Sequence, residues 1–132
     1  MATIKTFEDL DVWQKARELS RVFYQYAKSD GLDKNFELYG QMKRSVGSIM
    51  DNIAEGYERD GNKEFIQYLS ISKGSSGEFK SQCFRAHDWN NLILSHFEDL
   101  KNKAEEISKS LNGFIEYLKK TDFKGLKYKT QN

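Results

Sequence analysis

The sequence predicts an all-α protein, and three observations carry that expectation. No proline occurs among the 132 residues, and proline is the residue that most reliably interrupts a helix. Apolar residues recur at steps of three and four in the first, second and last parts of the chain, the spacing that stacks side chains along one helical face. Short polar turns, Ser29-Asp30-Gly31 and Arg59-Asp60-Gly61, punctuate these runs.

In the first helix Val12, Ala16, Leu19, Phe23 and Tyr26 form the stripe, and Gly31 supplies a left-handed C-terminal residue. The second helix carries Leu38, Met42, Val46, Ile49, Ile53 and Gly56, with Asp33 or Asn35 as its cap. Tyr39, Met50 and Tyr57 lie off that stripe, a greater apolar width than one-sided packing needs, so a second contact surface is expected. Between Asn62 and Ile93 the stripe of Phe65, Leu69, Phe79, Cys83, Ala86 and Ile93 is crossed by Lys73-Gly74-Ser75-Ser76-Gly77. Local chemistry reads a break there, since each interior glycine costs about 1 kcal/mol against alanine. One long helix, whose small residues admit a neighbouring backbone, fits equally well. The last helix has Phe97, Leu100, Ala104, Ile107, Leu111, Phe114 and Leu118 in register, and Ser95 with Glu98 reads as a capping box at its start.

A chain of this length makes one compact unit that buries roughly 70% of its unfolded surface. Lys and Arg number 21 and Asp and Glu 20, for a net charge of +1, so nucleic acid could be held only by segregated charge. Hydrophobic residues make up 38% of the chain, enough to offset the entropy of ordering and to exclude a disordered chain. The lone Cys83 and an N-terminus without an apolar core predict a reducing cytoplasm. No apolar run approaches the roughly 18 residues of a membrane span. Residues 119–129 hold five lysines against Asp122, a charge of +4, which leaves −3 for the rest. The expected organisation is a helical bundle over residues 1–120 and a flexible basic tail over 121–132.

Catalytic chemistry finds little to work with. Cys83 and His87 are the only nucleophile and base at helical spacing, and a cysteine on an apolar stripe is ordinarily core. Together with Asp88 they lack a fourth metal ligand, so neither a catalytic nor a metal site nor a cofactor is expected. Gly56 to Lys63 has the glycine spacing of a phosphate-binding loop, but Asn62 stands where its lysine belongs and no strand precedes it. It reads as a helix–helix turn with Gly61 at the N-cap and Glu64 three residues on. At 100° per residue Arg17, Arg21 and Lys28 share one side of the first helix, and Lys43 and Arg44 add charge on the second. Together with the lysines of the tail, these cations suit salt-dependent contact with a phosphate backbone, or simply a solvated face.

The segment Gln41-Met42-Lys43-Arg44-Ser45-Val46-Gly47-Ser48-Ile49-Met50-Asp51-Asn52-Ile53-Ala54-Glu55-Gly56 resembles the Q-x-x-R-x-x-x-S-I-x-x-N-I-A-E-G signature of a bacterial family. This is the four-helix-bundle family encoded in intervening sequences of 23S ribosomal RNA genes. Phe7 to Ala16, Lys63-Glu64-Phe65 and Gly74-Ser75-Ser76-Gly77-Glu78 extend the match over nearly the whole chain. The resemblance implies an up-down four-helix bundle with a continuous third helix, assembled as a ring-shaped homopentamer. A related branch, the accessory proteins of diversity-generating retroelements, binds nucleic acid through a basic surface.

The signature also reads physically. Gln41, Ser48, Asn52 and Glu55 recur at three, four or seven residues, a polar seam beside the apolar stripe. Buried polar groups must be paired, so the seam reads as a helix–helix or subunit lock. Gly56 lets the chain turn or a neighbour approach. The expected function is a non-enzymatic homo-oligomeric scaffold with RNA or DNA as ligand; a structural or protein-binding assembly is the alternative.

Overall fold

The computed structural model describes residues 3–121. After a single 3₁₀ turn at Phe7–Asp9 come four helices: α1 (Asp11–Asp30), α2 (Phe36–Glu58), α3 (Asn62–Asp88) and α4 (Leu94–Lys120), with a second 3₁₀ turn at Leu32–Lys34. The expected basic tail lies outside the described residues apart from Thr121. Each helix packs mainly on two others, α1 and α3 both sitting between α2 and α4. Polar contacts fix the directions. Asp30 at the end of α1 accepts from the Ile93 N–H ahead of α4 at 3.0 Å, and the Asn35 amide before α2 donates to Asn91 Oδ1 at 3.0 Å. At the opposite end the Asn62 amide of α3 donates to the Leu118 and Thr121 carbonyls. The result is an up-and-down four-helix bundle, all-helical among the described residues.

Its core follows the stripes. Val12, Ala16, Leu19 and Phe23 of α1 are buried, as are all six stripe residues of α2. Phe23 meets Phe79 of α3 edge-on, their rings 5.2 Å apart, at the centre of the bundle. Two stripe positions slip by one residue: Ala27 is buried where Tyr26 was expected, and Ile115 where Phe114 was. Ile93, expected on the α3 stripe, lies beyond the end of that helix and is exposed, because α3 stops at Asp88. Tyr26 is drawn to the rim by its hydroxyl, which donates to Asp99 at 2.6 Å.

α1 ends as expected on Gly31 at φ 85°, the left-handed conformation that glycine adopts without steric cost. Of the two caps expected for α2, Asn35 serves, accepting from the Leu38 N–H at 3.4 Å. Gly61 stands at the N-cap of α3 at φ 93°.

α3 runs unbroken through the Gly-Ser segment, which decides between the two readings of that stretch. Its serines, not its glycines, answer to the neighbouring helices. Ser72 Oγ donates to the Ile49 carbonyl at 2.7 Å, and Ser76 Oγ to the Ala104 carbonyl at 2.9 Å. A Cβ added at Gly74 or Gly77 would meet nothing within 4 Å, so these glycines do not admit a neighbouring backbone of the same chain.

Two further expectations are corrected. α4 begins at Leu94 with Ile93 as N-cap and without a side-chain cap of its own. The Ser95–Glu98 capping box is displaced because the Asp30 carboxylate arrives from α1 to take the Ile93 N–H. The extra apolar width of α2 is consumed inside the bundle: Tyr39 and Tyr57 are buried and Met50 packs on the core. Those three residues therefore leave no second apolar contact surface along the body of that helix.

Candidate functional site

The signature residues of α2 converge on α3. Ser48 and Ser75 hydroxyls lie 2.8 Å apart, and the Asn52 amide donates to both the carbonyl and the hydroxyl of Ser48 at 2.8 Å. One turn towards the start of α2, buried Ser45 donates to Gln82 Oε1 at 2.6 Å. Beyond it Arg85 donates to Gln41 Oε1 at 2.6 Å. At the other end of the seam Glu55 accepts from Arg59 at 2.8 Å and from the Tyr68 hydroxyl at 3.3 Å. Helical spacing sets these α2 side chains on one side, where α3 presents Ser75, Gln82, Arg85 and Tyr68 to pair with them, while Asn52 bonds back to Ser48 of its own helix.

Gly56 completes the arrangement, because a Cβ there would stand 2.6 Å from Tyr68 Cβ and 3.0 Å from Phe65 Cδ1. Above the seam an open groove of about 300 Å³ is lined by Gln41, Arg44, Ser45, Ser48, Ser75, Glu78 and Gln82.

The basic candidates divide. Arg17, Arg21 and Lys28 are all exposed along α1. Arg21 pairs with Glu18 at 2.7 Å and Lys28 with Asp33 at 3.5 Å. Arg17 lies 5.8 Å over the Trp13 ring, and Lys43 lies 4.6 Å over Tyr39, whose ring neighbours Phe23 of α1. Lys43 thus faces the α1 side, whereas Arg44 turns into the groove with Glu78 on the α3 side. No described carboxylate is in ion-pair distance of Arg17, Lys43 or Arg44.

Cys83 is fully buried, and burial pushes its thiol well above the ordinary range, which suppresses the nucleophilic thiolate. His87 stacks on Phe97 at 4.9 Å, with Nδ1 3.0 Å from the Leu92 carbonyl. Cys83 belongs to the core, and His87 to the packing of the end of α3 against the start of α4. Among the described residues no three His, Cys, Asp or Glu side chains gather as metal ligands, and no helix is long and apolar enough to cross a membrane.

Sequence reasoning missed Asp30. Its carboxylate is nearly buried and contacts the Ser29 hydroxyl, the Ile93 N–H and His96 Nδ1, the last at 2.8 Å, while the His96 ring stacks on Tyr26 at 3.8 Å. Asp30 reads locally as a turn residue, and nothing in the sequence places His96 beside it.

The site thus sits on a four-helix frame in which the N-I-A-E-G turn of α2 is sealed against Phe65 and Tyr68. The sequence profile of the 23S rRNA-intervening sequence protein family matches residues 8–113. The chain belongs to that family. A solved structure from the S23 ribosomal protein family of Bacteroides thetaiotaomicron VPI-5482, a protein of unknown function, is 26% identical to it. The match covers 79% of this chain and 97% of that one, with a TM-score of 0.72. No curated protein matches the chain. The matched family segment contains all four helices except the last turns of α4, so the seam, the glycine contact and both groups of cations lie within it.

Proposed function

We propose that this intervening-sequence family member is a non-enzymatic, cytoplasmic, homo-oligomeric bundle scaffold, assembled as a homopentamer, with RNA or DNA as its ligand. The observation that carries the ligand is the pairing of exposed, carboxylate-free cations with aromatic faces, Arg17 over Trp13 and Lys43 over Tyr39. Such cations can exchange solvent counterions for phosphates without first breaking an ion pair. Each subunit offers few of them, so useful affinity comes from several copies engaging one polyanion together, where avidity gains of about 10²–10⁴ are available. The engaged Cys83 and His87 support a scaffold over an enzyme.

Retention of the protein on immobilised single-stranded RNA tests the reading. Retention should fall steeply as salt rises, and absent or salt-independent retention rejects the nucleic-acid ligand. A native mass of 15.4 kDa at every concentration rejects the oligomer. A protein-binding assembly without nucleic-acid affinity is the second reading, favoured by the ion pairs that occupy Arg21 and Lys28. Capture of a partner from lysate that survives nuclease treatment would select it.

A further inference from the structure

The apolar surface that one bundle leaves uncovered is gathered at one end. Phe36 is 84% exposed at the start of α2, and Phe84 and Trp89 at the end of α3 and Ile93 and Leu94 at the start of α4 are each about half exposed. The bond between Asn35 and Asn91 holds the start of α2 against the α3–α4 turn, which brings these residues to a common end. The other exposed large apolar side chains among the described residues, Tyr24, Ile71 and Tyr117, stand elsewhere on α1, α3 and α4. Exposed Glu37, Asp88 and Glu98 stand on the same three helix ends; against them are Lys34 in the turn before α2, Lys28 of α1, which pairs with Asp33, and Arg85, 5.3 Å over the Trp89 ring, so the rim of the apolar end is acidic on balance.

A segment with the opposite character follows α4: Phe123-Lys124-Gly125-Leu126-Lys127-Tyr128-Lys129, three large apolar residues interleaved with three lysines. It complements both the greasy end and its rim. It cannot serve its own bundle. α4 has 27 residues, about 40 Å at 1.5 Å each, and it begins at the apolar end and finishes at the other. Tyr128 lies eight residues past Lys120, within about 29 Å of it even when fully extended.

We infer that the apolar end of each bundle, around Phe36, Trp89 and Leu94, is the docking surface for residues 123–129 of a second copy of this chain. This rests on the self-association proposed above and names its contact. The contact is heterologous, one surface meeting a different one, so it propagates from copy to copy and closes into a ring when its rotation divides a full turn.

Complementation in the full-length chain tests it. A tail variant carries Phe123→Ser, Leu126→Ser and Tyr128→Ser; an end variant carries Phe36→Ser and Leu94→Ser, both at exposed positions where the core is not touched. Light scattering should give the wild type a mass several times 15.4 kDa and each variant alone 15.4 kDa, with helical circular dichroism unchanged. An equimolar mixture of the two should form a two-chain species and nothing larger, because only one intact end and one intact tail remain. Replacing Lys124, Lys127 and Lys129 with Gln should weaken wild-type association at least severalfold at low salt and leave little further salt dependence. A tail or end variant that keeps the wild-type mass overturns this contact and leaves the oligomeric reading standing, as does a mixture that stays monomeric. A wild type that is monomeric at every concentration overturns both.

Discussion

At Asp30 one carboxylate closes the bundle twice, accepting from the Ile93 N–H and from the side of His96. Burial alone would raise its pKa, but the hydrogen bonds from Ile93, His96 and Ser29 outweigh it and hold the carboxyl below the ordinary 3.8. A lowered folded pKa means that the unfolded chain takes up the proton more readily, so the contribution is complete above 3.8 and fades as the pH falls through the folded value. Asp30→Ala should cost about 2 kcal/mol at neutral pH, since it uncaps α4 and removes charge-assisted hydrogen bonds. Urea unfolding at pH 7 and again near pH 3 checks this, with the gap from wild type expected to narrow at the lower pH. Gly56 makes an opposite demand. Gly56→Ala gains about 1 kcal/mol of helix propensity, yet its methyl meets Tyr68 Cβ, which cannot retreat without moving α3. A net loss of about 1–2 kcal/mol is expected from such overpacking, measured by thermal melts of the two proteins. The glycine was legible as a close-approach position in the sequence, but Asp30 was not. A cap donated by a residue 63 positions away leaves no local trace, and Ser95 with Glu98 imitated one.

Among the elements, α1, α2 and α4 were legible because an apolar stripe at helical spacing has few other uses. α3 was not, because the Gly-Ser segment costs propensity locally and repays it only across the bundle, where Ser75 meets Ser48 of α2, Ser76 finds a carbonyl on α4, and the preceding Ser72 finds one on α2. The breadth of α2 misled for a related reason. Periodicity counts apolar residues but does not say how many neighbours a helix has, and α2 touches α1, α3 and both short 3₁₀ turns. The same geometry yields a sharp expectation for α3. With open space at Gly74 and Gly77, Gly74→Ala and Gly77→Ala should each stabilise an isolated bundle by about 1 kcal/mol. Chemical denaturation at micromolar protein, paired with native mass, checks this. A loss of stability together with a drop in mass would place a second copy against that face of α3.

For the whole molecule the question is how a chain of net charge +1 could grip a polyanion at all. The fold separates cations that the sequence lists together: Arg21 and Lys28 are neutralised locally, Arg44 faces Glu78 across the groove, and Arg17 and Lys43 stay available beside α1. Two phosphate contacts per subunit would give a slope of log affinity on log salt of about −1.4 for a single strand, and raising salt from about 50 to 200 mM would weaken one subunit only about sevenfold. Several subunits on one strand would steepen that slope in proportion to the number engaged. Arg17→Gln with Lys43→Gln should therefore flatten the salt dependence of RNA binding almost completely while native mass is unchanged, and Arg21→Gln with Lys28→Gln should flatten it far less. Fluorescence anisotropy with a labelled single-stranded RNA over a salt series reads both slopes. Equal effects from the two pairs would mean that α1 acts as a diffuse basic face, and that the ion pairs with Glu18 and Asp33 open readily when phosphate competes for them.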